Sequence, residues 1–255
     1  MGTRTDLDRG AGPSGTTSLT DERLLEVLST GAVRPQGLFP NASNYTFLVS
    51  ISHDGIQGLA VYKPCRGQRP LWDFPAESLP LREVAAYLVS EVLGWRFVPP
   101  TVYRDGPHGP GSVQLFVEAD PEKHYFNFED SEKPALRPVA LFDALVNNAD
   151  RKAGHVLKDR QGRLWLIDHG ICFHEEPKLR TVVWDFAGEP IGDDLLGDLR
   201  AFRDRMERDQ ALRAGLETLL AQGEIAALAR RADRLLKAGR FPNPGPGRPY
   251  PWPPL

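Results

Sequence analysis

Two short acidic segments, eighteen residues apart, constrain this chain more than anything else in it. The first is Asn147-Asn148-Ala149-Asp150-Arg151, followed by His155; the second is Leu166-Ile167-Asp168-His169-Gly170. Each sets one carboxylate beside an apolar run suited to a core. Between them, residues 155–158 and 164–167 read as a small strand pair around a turn at Asp159–Gly162. A helix over Pro138–Asn147 precedes the first aspartate. The second closes the apolar strand Leu164-Trp165-Leu166-Ile167, so its side chain emerges where a buried strand ends.

The rest of the chain divides around this unit. Residues 1–18 are rich in Gly, Thr and Asp and read as a disordered leader. Thr20 is suited to cap a helix through Leu24, Leu25 and Leu28 that stops at Gly31. Residues 45–51 and 58–63 are β-rich and flank His53-Asp54-Gly55, the pattern of a hairpin. After a Pro-containing loop at 66–80, Val84, Leu88 and Val92 recur at helical spacing up to Gly94. Short strands are expected at 97–103 and 112–118, and an acidic, aromatic linker or lid at 119–134. Residues 192–239 read as helical, and 241–255 as an extended Pro-rich tail. The expected architecture is α+β and bilobal. A β-rich N-lobe with one main helix spans 19–118, a mostly helical C-lobe spans 119–240, and a cleft lies between them.

Composition narrows the function classes. Hydrophobic residues at 41% and charged residues at 25% are ordinary for a soluble globular chain. A formal net charge of −3 leaves no electrostatic footprint for nucleic acid. No apolar run reaches the roughly 20 residues of a transmembrane helix. Two cysteines, Cys65 and Cys172, do not make a disulfide framework, and the expected location is cytoplasmic.

Phosphoryl transfer needs two carboxylates of the kind seen here, one to orient or deprotonate the attacking hydroxyl and one to hold the metal on the phosphates. Asp168, at the end of an apolar strand, suits the second role, and Asp150 lies eighteen residues upstream in an Asn/Asp-rich loop that is also an ordinary turn. Lys63 closes an apolar strand and can neutralise phosphates over a cleft; a strand-edge lysine can equally snorkel into water. Glu83, on the following helix, is placed to steady that lysine or to be a solvated charge.

In this order and spacing the segments resemble the phosphatidylinositol 3-/4-kinase superfamily, most closely the type II phosphatidylinositol 4-kinases. Ala60-Val61-Tyr62-Lys63-Pro64 resembles the phosphate-lysine strand, and residues 83–89 the first long helix. Residues 111–118 resemble the hinge, Asp150-Arg151 the catalytic loop, and Ile167-Asp168-His169-Gly170 the metal motif; the likeness covers roughly residues 40–195. The resemblance implies a protein-kinase-like fold, ATP and Mg²⁺ as cofactors, and a protein, small-molecule or lipid hydroxyl as acceptor. It assigns Asp150 and Arg151 to the catalytic loop, Lys63 and Glu83 to the phosphates, Phe116, Val117 and Glu118 to adenine, and Asp168 to the metal.

Three departures qualify it. His155 stands where the family has a metal-binding Asn, and imidazole suits Mn²⁺-like metals better than Mg²⁺. It can bind such a metal, bond a phosphate, or serve only local hydrogen bonds. The segment 40–44 has no glycine, yet Ser43 and Asn44 can offer donors to phosphate or form a plain turn. Neither a palmitoylation stretch nor a basic amphipathic helix is evident. The expected function is therefore an ATP-dependent phosphotransferase with an open choice of acceptor. The alternatives are a degenerate nucleotide-binding pseudokinase with a regulatory role and a nucleotidyltransferase on the same fold.

Overall fold

The computed structural model describes residues 20–39, 44–120 and 122–255. The leader expected at 1–18 and the phosphate contact expected of Ser43 lie outside the described residues.

The first helix, α1 (Asp21–Thr30), begins where Thr20 accepts a hydrogen bond from the Arg23 amide at 3.3 Å. It ends at Gly31, where a Cβ would lie 2.6 Å from the Val27 carbonyl oxygen and 2.8 Å from Ile51. That close approach lets the chain turn straight into a sheet. Five antiparallel strands follow: β1 (Ala32–Leu38), β2 (Phe47–His53), β3 (Ile56–Pro64), β4 (Thr101–Gly106) and β5 (Gly109–Leu115), in the spatial order β1-β2-β3-β5-β4. The β2–β3 hairpin turns through Asp54 and Gly55, both at positive φ, as a two-residue hairpin requires. Strand β1 was not foreseen. It carries Pro35 and Gly37, which weaken any strand pattern, and it survives as an edge strand with a register shift between those two residues.

The sheet has a small core of its own, built from Val27 and Leu28 of α1 with Val49, Ile51, Ala60, Tyr62 and Val113. The next helix, α2 (Leu79–Val92), starts two residues earlier than its apolar spacing suggests, because Pro80 is tolerated in a first turn. Its buried face, Ala85, Ala86, Tyr87 and Val89, belongs to a different and larger core. There it packs with Leu141, Phe142 and Leu145 of α3 (Arg137–Val146) and with Leu166 of the hairpin β6 (Val156–Lys158) and β7 (Leu164–Leu166). Helix α2 therefore answers to the helical half of the molecule as much as to the sheet.

The expected helical stretch at 192–239 resolves into α4 (Asp193–Arg208), α5 (Gln210–Glu217) and α6 (Gln222–Ala238). Asp209 makes the first break by capping α5, its carboxylate accepting from the amides of Ala211 and Leu212 at 3.0 and 3.1 Å. Helix α6 stops at Gly239, which adopts the left-handed conformation common after a helix. Among the described residues, no helix is long and apolar enough to cross a membrane.

One buried ion pair ties α2 to α6. Arg82 donates to Glu224 and to the Cys172 carbonyl oxygen at 2.6 Å, with its guanidinium over the Phe74 ring. Both side chains are almost fully excluded from solvent. Removing one partner of such a pair strands a buried charge. Arg82→Ala is expected to lose about 3–5 kcal/mol in urea-unfolding equilibria. Replacing both partners, as Arg82→Met with Glu224→Leu, is expected to recover most of that loss.

Candidate active site

Lys63 sits at the end of β3, in register with Ser112 of β5. Its ammonium donates to Glu83 and to Asp168 Oδ1, the latter at 3.1 Å. The other Glu83 oxygen accepts from the His169 amide at 2.9 Å. A buried glutamate of α2 thus holds both the lysine and the loop bearing Asp168. Burial alone would depress the Lys63 ammonium, but Asp168 and Glu83 outweigh it and hold its pKa above the ordinary lysine value. The same lysine, first among several causes, keeps the Asp168 carboxyl well below the usual carboxylate range.

Asp168 adopts φ 63°, a left-handed conformation that aspartate tolerates better than most residues. The twist turns its side chain out into the cleft, half exposed, while His169 and Gly170 beside it are buried. His155 faces it, with Nε2 3.3 Å from Asp168 Oδ2. The opposite ring nitrogen, Nδ1, lies 3.1 Å from the Asp150 carbonyl oxygen and 3.4 Å from the Lys152 amide nitrogen. Burial pushes the His155 pKa down to about 4, so the ring is neutral at pH 7 and carries one N–H. With that proton on Nε2, the ring donates to Asp168. With it on Nδ1, the ring donates to the Asp150 carbonyl and turns a lone pair toward the carboxylate, the arrangement a metal-ligating histidine adopts.

No cluster of three metal-ligating side chains is found among the described residues. One carboxylate and one imidazole are nevertheless a sufficient protein share for a metal that takes its other ligands from phosphates and water. The donor set fits such an ion, and the imidazole biases it toward Mn²⁺.

Asp150 is half-buried in the loop that follows α3. Burial raises its carboxyl to about 6, against the opposing pull of the Lys152 ammonium 3.6 Å away. A carboxyl with that pKa is mostly ionised at pH 7 and can take up a proton.

Arg151, grouped with Asp150 on resemblance, does not reach the cleft. It is fully buried, and Asp143 of α3 engages its Nε through both carboxylate oxygens at 3.1 Å. The Arg151 Nη1 donates to the carbonyls of His155 at 3.2 Å and Ile167 at 2.8 Å, and Nη2 to His169 Nε2 at 2.7 Å. Arg151 positions both acidic loops and touches no reacting group. Neither Asp143 nor His169 was foreseen, because an acid inside an apolar helix and a histidine next to a candidate ligand carry no spacing signal. Asn147 ends α3 at φ 55°, and its side-chain amide donates to the carbonyls of His174 and Glu176 at 2.9 and 2.7 Å. The Asn-rich stretch is therefore architectural.

At the hinge, the Phe116 amide is tied to the Leu59 carbonyl at 3.1 Å. The amides of Val117 and Glu118 make no backbone hydrogen bond among the described residues, which leaves them able to meet a ligand. Asn44 lies just before β2. Its side-chain oxygen accepts from the Arg69 amide at 2.7 Å and so braces the loop after β3. A separate cavity of about 300 Å³, lined by Trp95, Phe97, Phe128, Lys158 and Leu164 among others, contains none of these groups.

A five-stranded sheet beside a helical half, with a lysine–glutamate pair at the end of the sheet's central strand and two aspartate loops nearby, defines a kinase-like protein. Solved structures share that fold. The Helicobacter pylori proinflammatory kinase CtkA superposes with a TM-score of 0.53 at 12% identity, over 84% of this chain and 94% of that one. Hydra Fam20 superposes with a TM-score of 0.52 at 14% identity, over 88% and 89%. In sequence, the chain is 40% identical to Protein Rv2133c of Mycobacterium tuberculosis over 89% of its own length and 94% of that protein, and it belongs to the same family. It is also related to the phosphatidylinositol 4-kinases. It is 31% identical to phosphatidylinositol 4-kinase gamma 4 of Oryza sativa subsp. japonica over 49% of its length, and 30% identical to phosphatidylinositol 4-kinase gamma 2 of Arabidopsis thaliana over 79%. The aligned regions are 26% and 40% of those two kinases, so the chain spans well under half of either. No family model matches.

The two aspartates should titrate far apart. In a carbon-detected NMR titration, Asp150 is expected to show an inflection near 6 while Asp168 stays ionised across the neutral range. Lys152 favours the ionised form of Asp150, so Lys152→Met should move that inflection to higher pH. A shift to lower pH would contradict the assignment.

Proposed function

We propose that this protein is an ATP-dependent phosphotransferase that moves the γ-phosphate of ATP to a hydroxyl acceptor. The observation that carries this reading is the Lys63 ammonium, held at once by buried Glu83 and by Asp168. A lysine so fixed is a preorganised counter-charge for phosphate oxygens. In this reading the amides of Val117 and Glu118 meet adenine beside Phe116, and Lys63 meets the phosphates. Asp168 with His155 would hold a divalent cation, Mg²⁺ or Mn²⁺, which supplies charge neutralisation on the phosphates when bound. Asp150 orients the acceptor hydroxyl and receives its proton. Arg151 keeps the two loops in register. Such a site works by positioning and electrostatics, as phosphoryl transfer requires. Two buried thiols without a disulfide and the dependence on ATP agree with a cytoplasmic setting.

The reading is tested with ATP labelled at the γ or the α phosphate. Label from the γ position alone, reduced about 10²- to 10³-fold by Lys63→Met and by Asp168→Asn, is expected. Label from the α position would make the protein a nucleotidyltransferase, and binding without either label a nucleotide-binding pseudokinase.

His155 favours a metal preference unlike that of an oxygen-only site. Turnover with Mn²⁺ is expected to exceed turnover with Mg²⁺, and His155→Asn should reverse the ratio by about tenfold. An unchanged ratio would remove His155 from the metal.

A further inference from the structure

The Pro-rich end of the chain folds back onto the loop that carries Asp150. The Ala153 amide donates to the Pro254 carbonyl at 2.8 Å, and the Thr181 amide to the Pro249 carbonyl at 3.1 Å. The indole N–H of Trp184 reaches the same Pro249 oxygen at 3.3 Å. The Leu255 side chain lies against Gly154. Within this strap Pro251 is buried, whereas Trp252 is 73% exposed and Tyr250 48%.

The seat is continuous with the candidate catalytic machinery. Ala153 follows Asp150 by three residues. Thr181 pairs with Arg151 in a parallel bridge, the Val182 amide donates to the Arg151 carbonyl at 3.1 Å, and the Thr181 hydroxyl donates to Asp143 at 3.1 Å. A segment lying along Ala153, Gly154, Thr181 and Trp184 therefore runs beside the base.

What the seat recognises is generic. Every fixed hydrogen bond goes to a main-chain carbonyl of the strap, and one proline side chain is buried. An extended peptide containing proline supplies both, and its fixed φ lowers the ordering cost. The strap itself offers no Ser or Thr, since none occurs in residues 241–255. The stretch before it, residues 243–248, is exposed and holds Gly245 and Gly247, so the strap can lift away without disturbing the helices.

We propose that this groove seats an extended, proline-containing segment of an acceptor protein, and that Pro249–Leu255 occupies it in cis as a competitor. The binding claim stands on the strap contacts alone; the transfer claim rests on the phosphotransferase reading above. In that transfer, a serine oxygen of the segment forms the new bond to the γ-phosphorus. The bond from that phosphorus to the β–γ bridging oxygen breaks, the bridging oxygen leaves on ADP, and the hydroxyl proton passes to Asp150.

The test uses the full chain carrying Pro251→Asp, which puts a charge where the strap buries a proline. A fluorescent peptide of residues 248–255 is titrated against it and against the native chain. The variant is expected to bind about tenfold or more tightly than the native protein, whose own strap competes at an effective concentration near millimolar. If circular dichroism shows Pro251→Asp to be misfolded, Pro251→Gly serves in its place. No gain in peptide binding by a folded variant overturns the groove. The second arm uses the same peptide with serine at the Trp252 position, γ-labelled ATP and vesicles containing phosphatidylinositol. Faster labelling of the peptide by the variant than by the native chain supports the proposal. Label on the vesicles alone, equal for both proteins, overturns the acceptor role. Peptide binding with no ATP turnover on any acceptor overturns the transfer step through the phosphotransferase reading, and is told apart from failure of the groove by the first arm.

Discussion

The site depends on one buried guanidinium. Arg151 has no solvent exposure, yet its nitrogens reach α3 through Asp143, the loop after Asp150 through the His155 carbonyl, the end of β7 through the Ile167 carbonyl, and the loop of Asp168 through His169. A planar cation with a fixed fork of donors suits this task, because several acceptors can be satisfied at set angles from one point. The forked contact with Asp143 neutralises the charge, and the Thr181 hydroxyl and Asn148 amide complete that carboxylate's shell at 3.1 Å each. With the hub in place, Asp150 and Asp168 approach the cleft from different loops with little freedom left. His169 serves the same end from the other side. Burial, and then Arg151, hold its pKa well below the ordinary histidine value, so it accepts from Arg151 as a neutral ring.

The other constraint crosses the molecule. Glu83 belongs to a helix whose apolar face packs into the core of the helical half, and its neighbour Arg82 is clamped to α6. The lysine it holds comes from the sheet. The Lys63–Glu83 pair is thus a contact between two bodies with separate cores. Its geometry is set by how α2 sits rather than by the strand alone. Because the Arg82–Glu224 pair is buried, α2 has no inexpensive route outward, and the glutamate is held in place against Lys63.

What could be read from the chain before its structure follows from the range of each interaction. The β2–β3 hairpin, α1 with its Thr20 cap, and the strand–turn–strand unit between the aspartates are local, and their residues announce them. Asp168 was legible for the same reason: a buried strand that ends in Asp-His-Gly exposes its carboxylate. Strand β1 was not, since Pro35 and Gly37 erase its pattern and only its edge position permits them. The hub was misread because burial is a tertiary property. Arg151 beside Asp150 looks like a second catalytic group until α3 brings Asp143 beneath it. The strap was equally hidden: nothing in a proline-rich segment states that its carbonyls will meet the amides of Ala153 and Thr181.

The two aspartates began as a matched pair, and their surroundings separate them. Asp168 is half exposed but lies against the Lys63 ammonium, and that charge keeps it ionised. Asp150 is more enclosed, and its nearest cation, Lys152, only partly offsets the burial that lifts it to about 6. One carboxylate is held as a permanent anion and the other is poised to exchange a proton, which is the division of labour that acid–base chemistry at a cation site demands. His155 stands between them, bonding the Asp150 carbonyl with one nitrogen and facing Asp168 with the other. Its two tautomers correspond to a closed hydrogen bond and an open metal ligand. In the second tautomer the Nδ1 proton is held by the Asp150 carbonyl, and Nε2 and Asp168 are the two groups that would hold a cation.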